Sequence, residues 1–223
     1  MRVYLSLRAT QSSAYLSPFR MTTADFTALR SLLADLTVEE ICSLERVGLT
    51  WLPQLRDEPT RNVIDDICDA LQALQPLEYR LSCVAYFCSQ LIPLKRVKPW
   101  HLYRLNPAPT WDVCSTLIES TSTDIRLPGY DATIAWSLCG SKLHGCLLIN
   151  SLQSPSRGRI PVYVVLWPGQ PLFAISSREY SIQCPVVIAV STALHSRFMK
   201  LQGLISDDLD SAYRAAVDLI GSA

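Results

Sequence analysis

Hydrophobic residues recur at helical spacing through the first half of the chain, and the pattern predicts five helices between Thr22 and Leu105. The helix starts are marked by capping or proline residues, namely Thr22 or Thr23, Thr37 with Glu40, Pro59 with Thr60, Pro76, and Pro99. The fifth helix is short and runs from Pro99 to Tyr103. Short connections between such helices predict a compact antiparallel bundle, whose size is that of a pyrin-like death-fold domain.

The second half of the chain carries strand patterns. Val162 to Trp167 is a continuous apolar run, typical of a strand buried on both faces. The turn Pro168 to Pro171 cannot continue a ladder, and Leu172 to Ser176 resumes as a second strand. These residues predict a β-hairpin at the centre of a small sheet.

Further strands and helices complete the predicted second domain. The strands are Thr123 to Leu127, Ala132 to Leu138 and Cys146 to Asn150, and the helices are Trp111 to Ser120, Pro185 to Phe198 and Asp208 to Ile220. The predicted class is α+β, a pyrin-like helical domain over residues 22–105 followed by an antiparallel sheet domain over residues 111–223 with its helices on one face. The proline-rich link Asn106 to Thr110 is the predicted domain boundary.

Residues 1–20 form a separate leader. They contain Arg2, Arg8 and Arg20, several Ser and Thr residues and no acid, a composition that mitochondrial transit peptides share. We favour the alternative that residues 1–20 are a disordered leader and that Met21 begins the folded unit.

Composition narrows the class of protein. The chain is 49% hydrophobic, which excludes a disordered chain, and no apolar run is long enough to cross a bilayer. The net charge is zero, so binding to nucleic acid would need a local basic patch.

The eight cysteines include no Cys-x-x-Cys pair, which favours reduced thiols in a nuclear or cytosolic protein. His144 and Cys146, with Cys139 nearby, are a weak metal-site pattern.

No catalytic or cofactor motif is present in the sequence. It contains no glycine-rich phosphate loop, no His-Glu-x-x-His and no Gly-x-Ser-x-Gly. Cys184 and His195 could form a thiol and base pair, but they are separated across a predicted helix start, and we favour a packed cysteine and a surface histidine. The sequence therefore predicts a protein that is not an enzyme and needs no cofactor.

The basic residues are unevenly distributed. Between Arg80 and Trp111 there is no acid, and Lys95, Arg96, Lys98 and Arg104 fall within this stretch. A second acid-free stretch runs from Ala132 to Arg178 and includes Lys142, Arg157 and Arg159. Both stretches flank the predicted boundary, so packing of the two domains could form a phosphate-binding groove, with an ordinary solvated surface as the alternative.

Several segments resemble the N-terminal region of the centromere protein N family. They are Lys98 to Arg104, Asp131 to Trp136, Pro161 to Trp167, Pro171 to Ser177, the helix from Pro185 and Leu209 to Tyr213. The resemblance covers residues 22–223 with the elements in the same order. It implies a nuclear protein of the centromere and kinetochore that binds nucleosomes containing the centromeric histone H3 variant and supports chromosome segregation.

The resemblance also implies binding residues. For contact with nucleosomal DNA it implies Arg30, Arg61, Lys98 and Arg159, and the basic stretches add Lys95, Arg96, Arg104 and Arg178. The residues expected to read the histone are Asp25 and Arg30. Family members continue with a region that pairs with centromere protein L. The implied partners are therefore the centromeric nucleosome, centromere protein L and other constitutive centromere proteins, and no membrane.

This chain departs from the family at several charged positions. Thr23 and Thr27 stand where the family has acids, and Ser181 and Ile182 stand where it has an arginine pair. The family is also basic before the last helix, where this chain has Asp207 and Asp208. Fewer phosphate contacts predict weaker, less salt-dependent DNA binding. The alternative function is a death-fold adaptor that binds other proteins and no nucleic acid.

Overall fold

The computed structural model is a mixed α+β protein with an antiparallel sheet. It describes residues 21–47, 49–55, 60–75, 77–119, 127–152 and 158–221. These residues form seven α-helices, namely α1 (Thr23–Ala34), α2 (Val38–Ser43), α3 (Thr60–Ala73), α4 (Leu77–Ser89), α5 (Trp111–Glu119), α6 (Tyr180–Ala193) and α7 (Leu209–Gly221). They also form six strands, namely β1 (Trp100–Asn106), β2 (Tyr130–Cys139), β3 (Lys142–Ser151), β4 (Ile160–Leu166), β5 (Leu172–Ser177) and β6 (Arg197–Ser206). The predicted leader lies outside the described residues, as does nearly all of the predicted strand from Thr123 to Leu127.

The capping residues of the first two helices act as the sequence predicts. The Thr22 side chain accepts from the backbone N–H of Asp25, and the Asp25 carboxylate accepts from that of Thr22. Thr37 and Glu40 form the same reciprocal arrangement at α2. Each box satisfies backbone donors that a helix start leaves without a partner.

The sheet has the strand order β2-β3-β4-β5-β1-β6. The predicted hairpin is confirmed: β4 and β5 pair side by side at the centre, and Gly169 takes the positive φ of 81° that the turn between them needs. The strands predicted at Ala132 to Leu138 and Cys146 to Asn150 are also confirmed, as parts of the longer hairpin β2–β3.

The predicted helix from Pro99 to Tyr103 was wrong. Trp100–Asn106 is the strand β1, which pairs with β5 on one side and β6 on the other. The β1 side chains pack into two different apolar cores. Trp100 and Leu102 belong to one core, and Tyr103 and Leu105 belong to the other. With both faces buried, β1 lacks the apolar and polar alternation of a half-exposed strand.

The helix predicted from Pro185 to Phe198 was wrong at both ends. α6 begins at Tyr180 and includes Pro185, and it ends at Ala193. Phe198 belongs to β6, an edge strand that the sequence pattern did not predict. The last helix, by contrast, is confirmed as α7.

Helices cover both faces of the sheet, which corrects the prediction that they lie on one face. The α6 residues Ile182, Val186 and Val190 pack into the core on one side, together with α5. Ala212 and Ala216 of α7 pack into the core on the opposite side, with α4 and the first three helices. The apolar β4 run requires this two-sided cover because its successive side chains point to opposite faces.

Candidate functional site

A cleft of about 400 Å³ lies between the helices and the sheet. α1 and α4 supply one wall through apolar residues such as Leu29 and Val84, and β3 to β5 supply the other through residues such as Leu148 and Tyr163. Four of the predicted basic residues also line it, namely Arg96, Lys98, Arg159 and Arg178. The fold therefore brings together residues that are far apart in the chain.

A buried ion cluster forms part of the cleft lining. Asp25 accepts from the backbone N–H of Arg159 at 2.6 Å and from its guanidinium at 2.9 Å. A second guanidinium nitrogen donates to Asp131 at 3.2 Å. The side chains of Arg159 and Asp25 are only 4% and 5% exposed, so this arginine faces carboxylates and not solvent.

Close backbone packing holds α1 against this end of the sheet. A Cβ at Gly158 would lie 2.9 Å from the backbone carbon of Ala24 in α1. Only glycine fits at that distance without moving one of the two backbones. Gly158 therefore allows the approach that places Asp25 beside Arg159.

The loop between α4 and β1 carries three of the predicted cations, and each lies beside an acid. Arg96 donates two hydrogen bonds to Glu40, at 2.7 and 2.6 Å. These bonds, with the backbone N–H of Thr37, lower the pKa of Glu40 to about 2. Lys95 and Lys98 lie 3.9 and 3.7 Å from Asp208 and Asp207 in looser, exposed pairs, a type that contributes little stability.

The remaining predicted binding residues are spread over other elements. Arg30 pairs with Asp65 of α3, on the helical side. Arg104 is half-buried on β1, with its Cα opposite Leu172 and Met199. Arg178 is exposed at the end of β5. Arg61 is the second residue of α3, and its side chain lies outside what the structure describes.

The sequence analysis missed two polar residues of the cleft. Tyr163 and Ser176 are directly opposite each other in the β4–β5 ladder, and both line the cavity. Burial raises the pKa of the Tyr163 hydroxyl above its usual range. Tyr163 lies within an apolar run, where a sequence pattern cannot distinguish a cleft residue from a core residue.

His144 is a further buried polar residue. It lies on β3 and does not line the cleft. Within the described chain, neither ring nitrogen of His144 has a hydrogen-bond partner, and burial lowers its pKa to about 4. The neighbouring Lys142 pairs with Asp210 of α7 at 2.7 Å. Across the residues that are described, no group of three His, Cys, Asp or Glu side chains could hold a metal ion, so His144, Cys146 and Cys139 form no such site.

The described helices include none that is both long and apolar enough to cross a membrane. The chain matches no protein-family model, and no curated protein shows significant sequence similarity to it.

Proposed function

We propose that this protein is a nuclear centromere and kinetochore component that binds nucleosomes containing the centromeric histone H3 variant. In this proposal the N-terminal helices form a pyrin-like domain, and the protein supports kinetochore assembly and chromosome segregation together with centromere protein L. The observation that carries the proposal is the position of Arg96, Lys98 and Arg178, which border one cleft to which both the helices and the sheet contribute.

Exposure separates the roles of the basic residues. Lys98 and Arg178 are exposed, so their charges can reach phosphate oxygens. Arg159 is buried against two carboxylates, so we assign it the positioning of α1 against the sheet and no phosphate contact. Asp25 is buried in the same pair, which leaves Arg30 as the exposed candidate for contact with the histone.

A second function, a protein-interaction adaptor without nucleic-acid binding, is favoured by the acids beside the loop cations. Asp207, Asp208 and Glu40 offset charges that a DNA-binding surface would leave available. A mixed-charge surface of this kind suits a protein partner that offers complementary charges.

The two functions differ in their response to salt. Binding to reconstituted centromeric and ordinary nucleosomes should be measured across a range of salt concentrations. Under the nucleosome proposal, Lys98→Gln and Arg178→Gln should each remove one phosphate contact and lower the slope of log affinity against log salt by about 0.9. Arg197→Gln, on the edge strand β6, is the matched control and should leave the slope unchanged. Equal, unmeasurable affinity of the unmodified protein for both nucleosomes would favour the adaptor.

A further inference from the structure

The cleft has one polar end with hydrogen-bond donors that are not used within the protein. Tyr163 and Ser176 are partners in the ladder, and Arg178 follows Ser176 by two positions, so all three point toward the same face. Among the described residues, neither hydroxyl has a hydrogen-bond partner and Arg178 forms no ion pair. All three residues line the same cavity.

Other charged groups around the cleft are compensated or distant from this end. Arg159 is matched by Asp25 and Asp131, and Arg96 by Glu40. Lys98 lies beside Asp207, and Asp35, which also lines the cleft, acts on Arg96. Glu179 follows Arg178 in the chain but is not among the residues that line the cleft. Within the described part of the chain, the Arg178 charge at the polar end therefore has no salt-bridge partner.

The rest of the cleft is apolar. Its walls include Leu29 and Leu32 of α1, Val84 of α4 and Leu148 of β3. The cavity of about 400 Å³ lies within the range of about 300 to 1,000 Å³ that small-molecule sites occupy. An elongated apolar group with one anionic end would match both parts of the cleft.

We propose that this cleft binds an aliphatic monocarboxylate, with its hydrocarbon chain between α1, α4 and the sheet. The carboxylate accepts hydrogen bonds from the Arg178 guanidinium and from the hydroxyls of Tyr163 and Ser176. A guanidinium forms strong charge-assisted bonds to a carboxylate, and the hydroxyls satisfy its remaining lone pairs. This ligand site shares Arg178 with the proposed nucleosome surface, but it does not depend on nucleosome binding.

Calorimetric titration of the full chain with octanoate, nonanoate and decanoate, each below its micelle concentration, tests the proposal. Affinity should rise about fourfold for each added methylene, because each buries further apolar surface. Methyl decanoate lacks the anionic end and should bind at least tenfold more weakly than decanoate. A dissociation constant of about 1 mM is on the order of a weak fragment's affinity. If decanoate at about that concentration does not bind, the proposal is wrong. Tighter binding of a peptide ending in leucine with a free carboxylate would also overturn it.

Three variants locate the site. Arg178→Gln should weaken decanoate binding about tenfold or more, and Tyr163→Phe severalfold. Ala28→Trp places a large side chain at the exposed α1 position that lines the cleft and should abolish binding while the protein stays folded. Arg197→Gln is the charge-matched control on β6. If the three site variants bind decanoate as the unmodified protein does, the ligand lies elsewhere and the proposal fails.

The nucleosome proposal can be tested separately with the same variants. Tyr163→Phe keeps every charge, so it should weaken decanoate binding and leave nucleosome affinity unchanged. Failure of the protein to bind nucleosomes would leave the calorimetric result intact, because the titration contains no nucleosome.

Discussion

Asp25, in the first turn of α1, accepts hydrogen bonds from both the backbone N–H and the guanidinium of Arg159, which directly precedes β4. The same carboxylate closes the capping box with Thr22. One side chain therefore defines where α1 begins and where it lies on the sheet. This relationship gives Asp25 a structural role, and the histone contact that the resemblance implies stays a prediction.

Removal of Asp25 should strongly destabilise the protein. Asp25→Ala takes the nearer carboxylate away from the buried Arg159 charge, and breaking a buried pair in this way costs about 3 to 5 kcal/mol. Each half of the capping box is worth about 1 kcal/mol, and Thr22→Ala removes the other half while it keeps the pair between Asp25 and Arg159. The free energy of unfolding in urea is the measurement, with Asp66→Ala on the exposed side of α3 as the matched control. Equal stability of the Asp25 and Asp66 variants would contradict the buried pair.

A double substitution separates the stability cost of an unpaired buried charge from the cost of lost packing. Asp25→Leu with Arg159→Met removes both buried charges and replaces them with apolar groups. Apolar replacement of a whole buried ion pair is often neutral or stabilising. The double variant should therefore be more stable than either single variant.

Gly158→Ala should loosen the contact between α1 and the sheet. Its Cβ would meet the backbone of Ala24 at 2.9 Å, and a backbone atom cannot rotate away as a side chain can. Such overpacking typically costs about 1 to 3 kcal/mol. Gly221→Ala is the control because nothing lies within 4 Å of a Cβ at that position. Thermal unfolding of both variants should show a lower melting temperature for Gly158→Ala alone.

Stability should fall in mild acid because of His144. Burial lowers its folded-state pKa to about 4, whereas an unfolded histidine titrates near pH 6.5, roughly. Between these values the unfolded chain binds more protons, so the stabilisation is complete above the unfolded pKa and is lost as pH falls toward the folded pKa. The expected loss is on the order of 3 kcal/mol.

Urea unfolding at several pH values measures this effect. His144→Leu should flatten the profile between pH 6.5 and pH 4, roughly. His195→Asn is the control, since His195 is exposed with a positive φ of 52° that asparagine tolerates. An identical pH dependence in the unmodified protein and His144→Leu would assign the acid sensitivity to other groups.

Neutralising the acids beside the loop cations should strengthen nucleosome binding. Asp207→Asn removes the charge next to Lys98, so Lys98 can pair with a phosphate without first breaking its ion pair with Asp207. Nucleosome affinity should therefore rise, while the salt slope stays near that of the unmodified protein because Lys98 makes one phosphate contact in both. Asp112→Asn on α5 is the matched control. An unchanged nucleosome affinity in Asp207→Asn would place Lys98 outside the DNA contact.

The sequence pattern predicted the elements that have local markers. The helices α1 and α2 carry capping boxes, and the β4–β5 hairpin carries a proline and glycine turn between apolar strands. These signals depend on neighbouring residues and do not require knowledge of the distant packing. The structure confirms these three elements.

The errors have a common physical cause. β1 has both faces buried, so its sequence lacks the alternation of a half-exposed strand. Proline is common at helix starts, and Pro99 therefore predicted the start of a helix. β6 includes an irregular register opposite His101 and Tyr103, which disrupts any period of two. The acids that pair with the basic residues were also missed, because Glu40 lies beside Arg96 only after α2 and the α4–β1 loop pack together.

The position of β1 between β5 and β6 has a consequence for synthesis of the chain. β1 emerges from the ribosome before either of the strands that pair with it. Until both have been made, Trp100 and Leu102 lie on a strand whose two edges have no partner. Such a strand is a template for pairing with other chains. The first half of the protein should therefore require protection by a chaperone during translation, and a fragment that ends at the Asn106 to Thr110 link should aggregate.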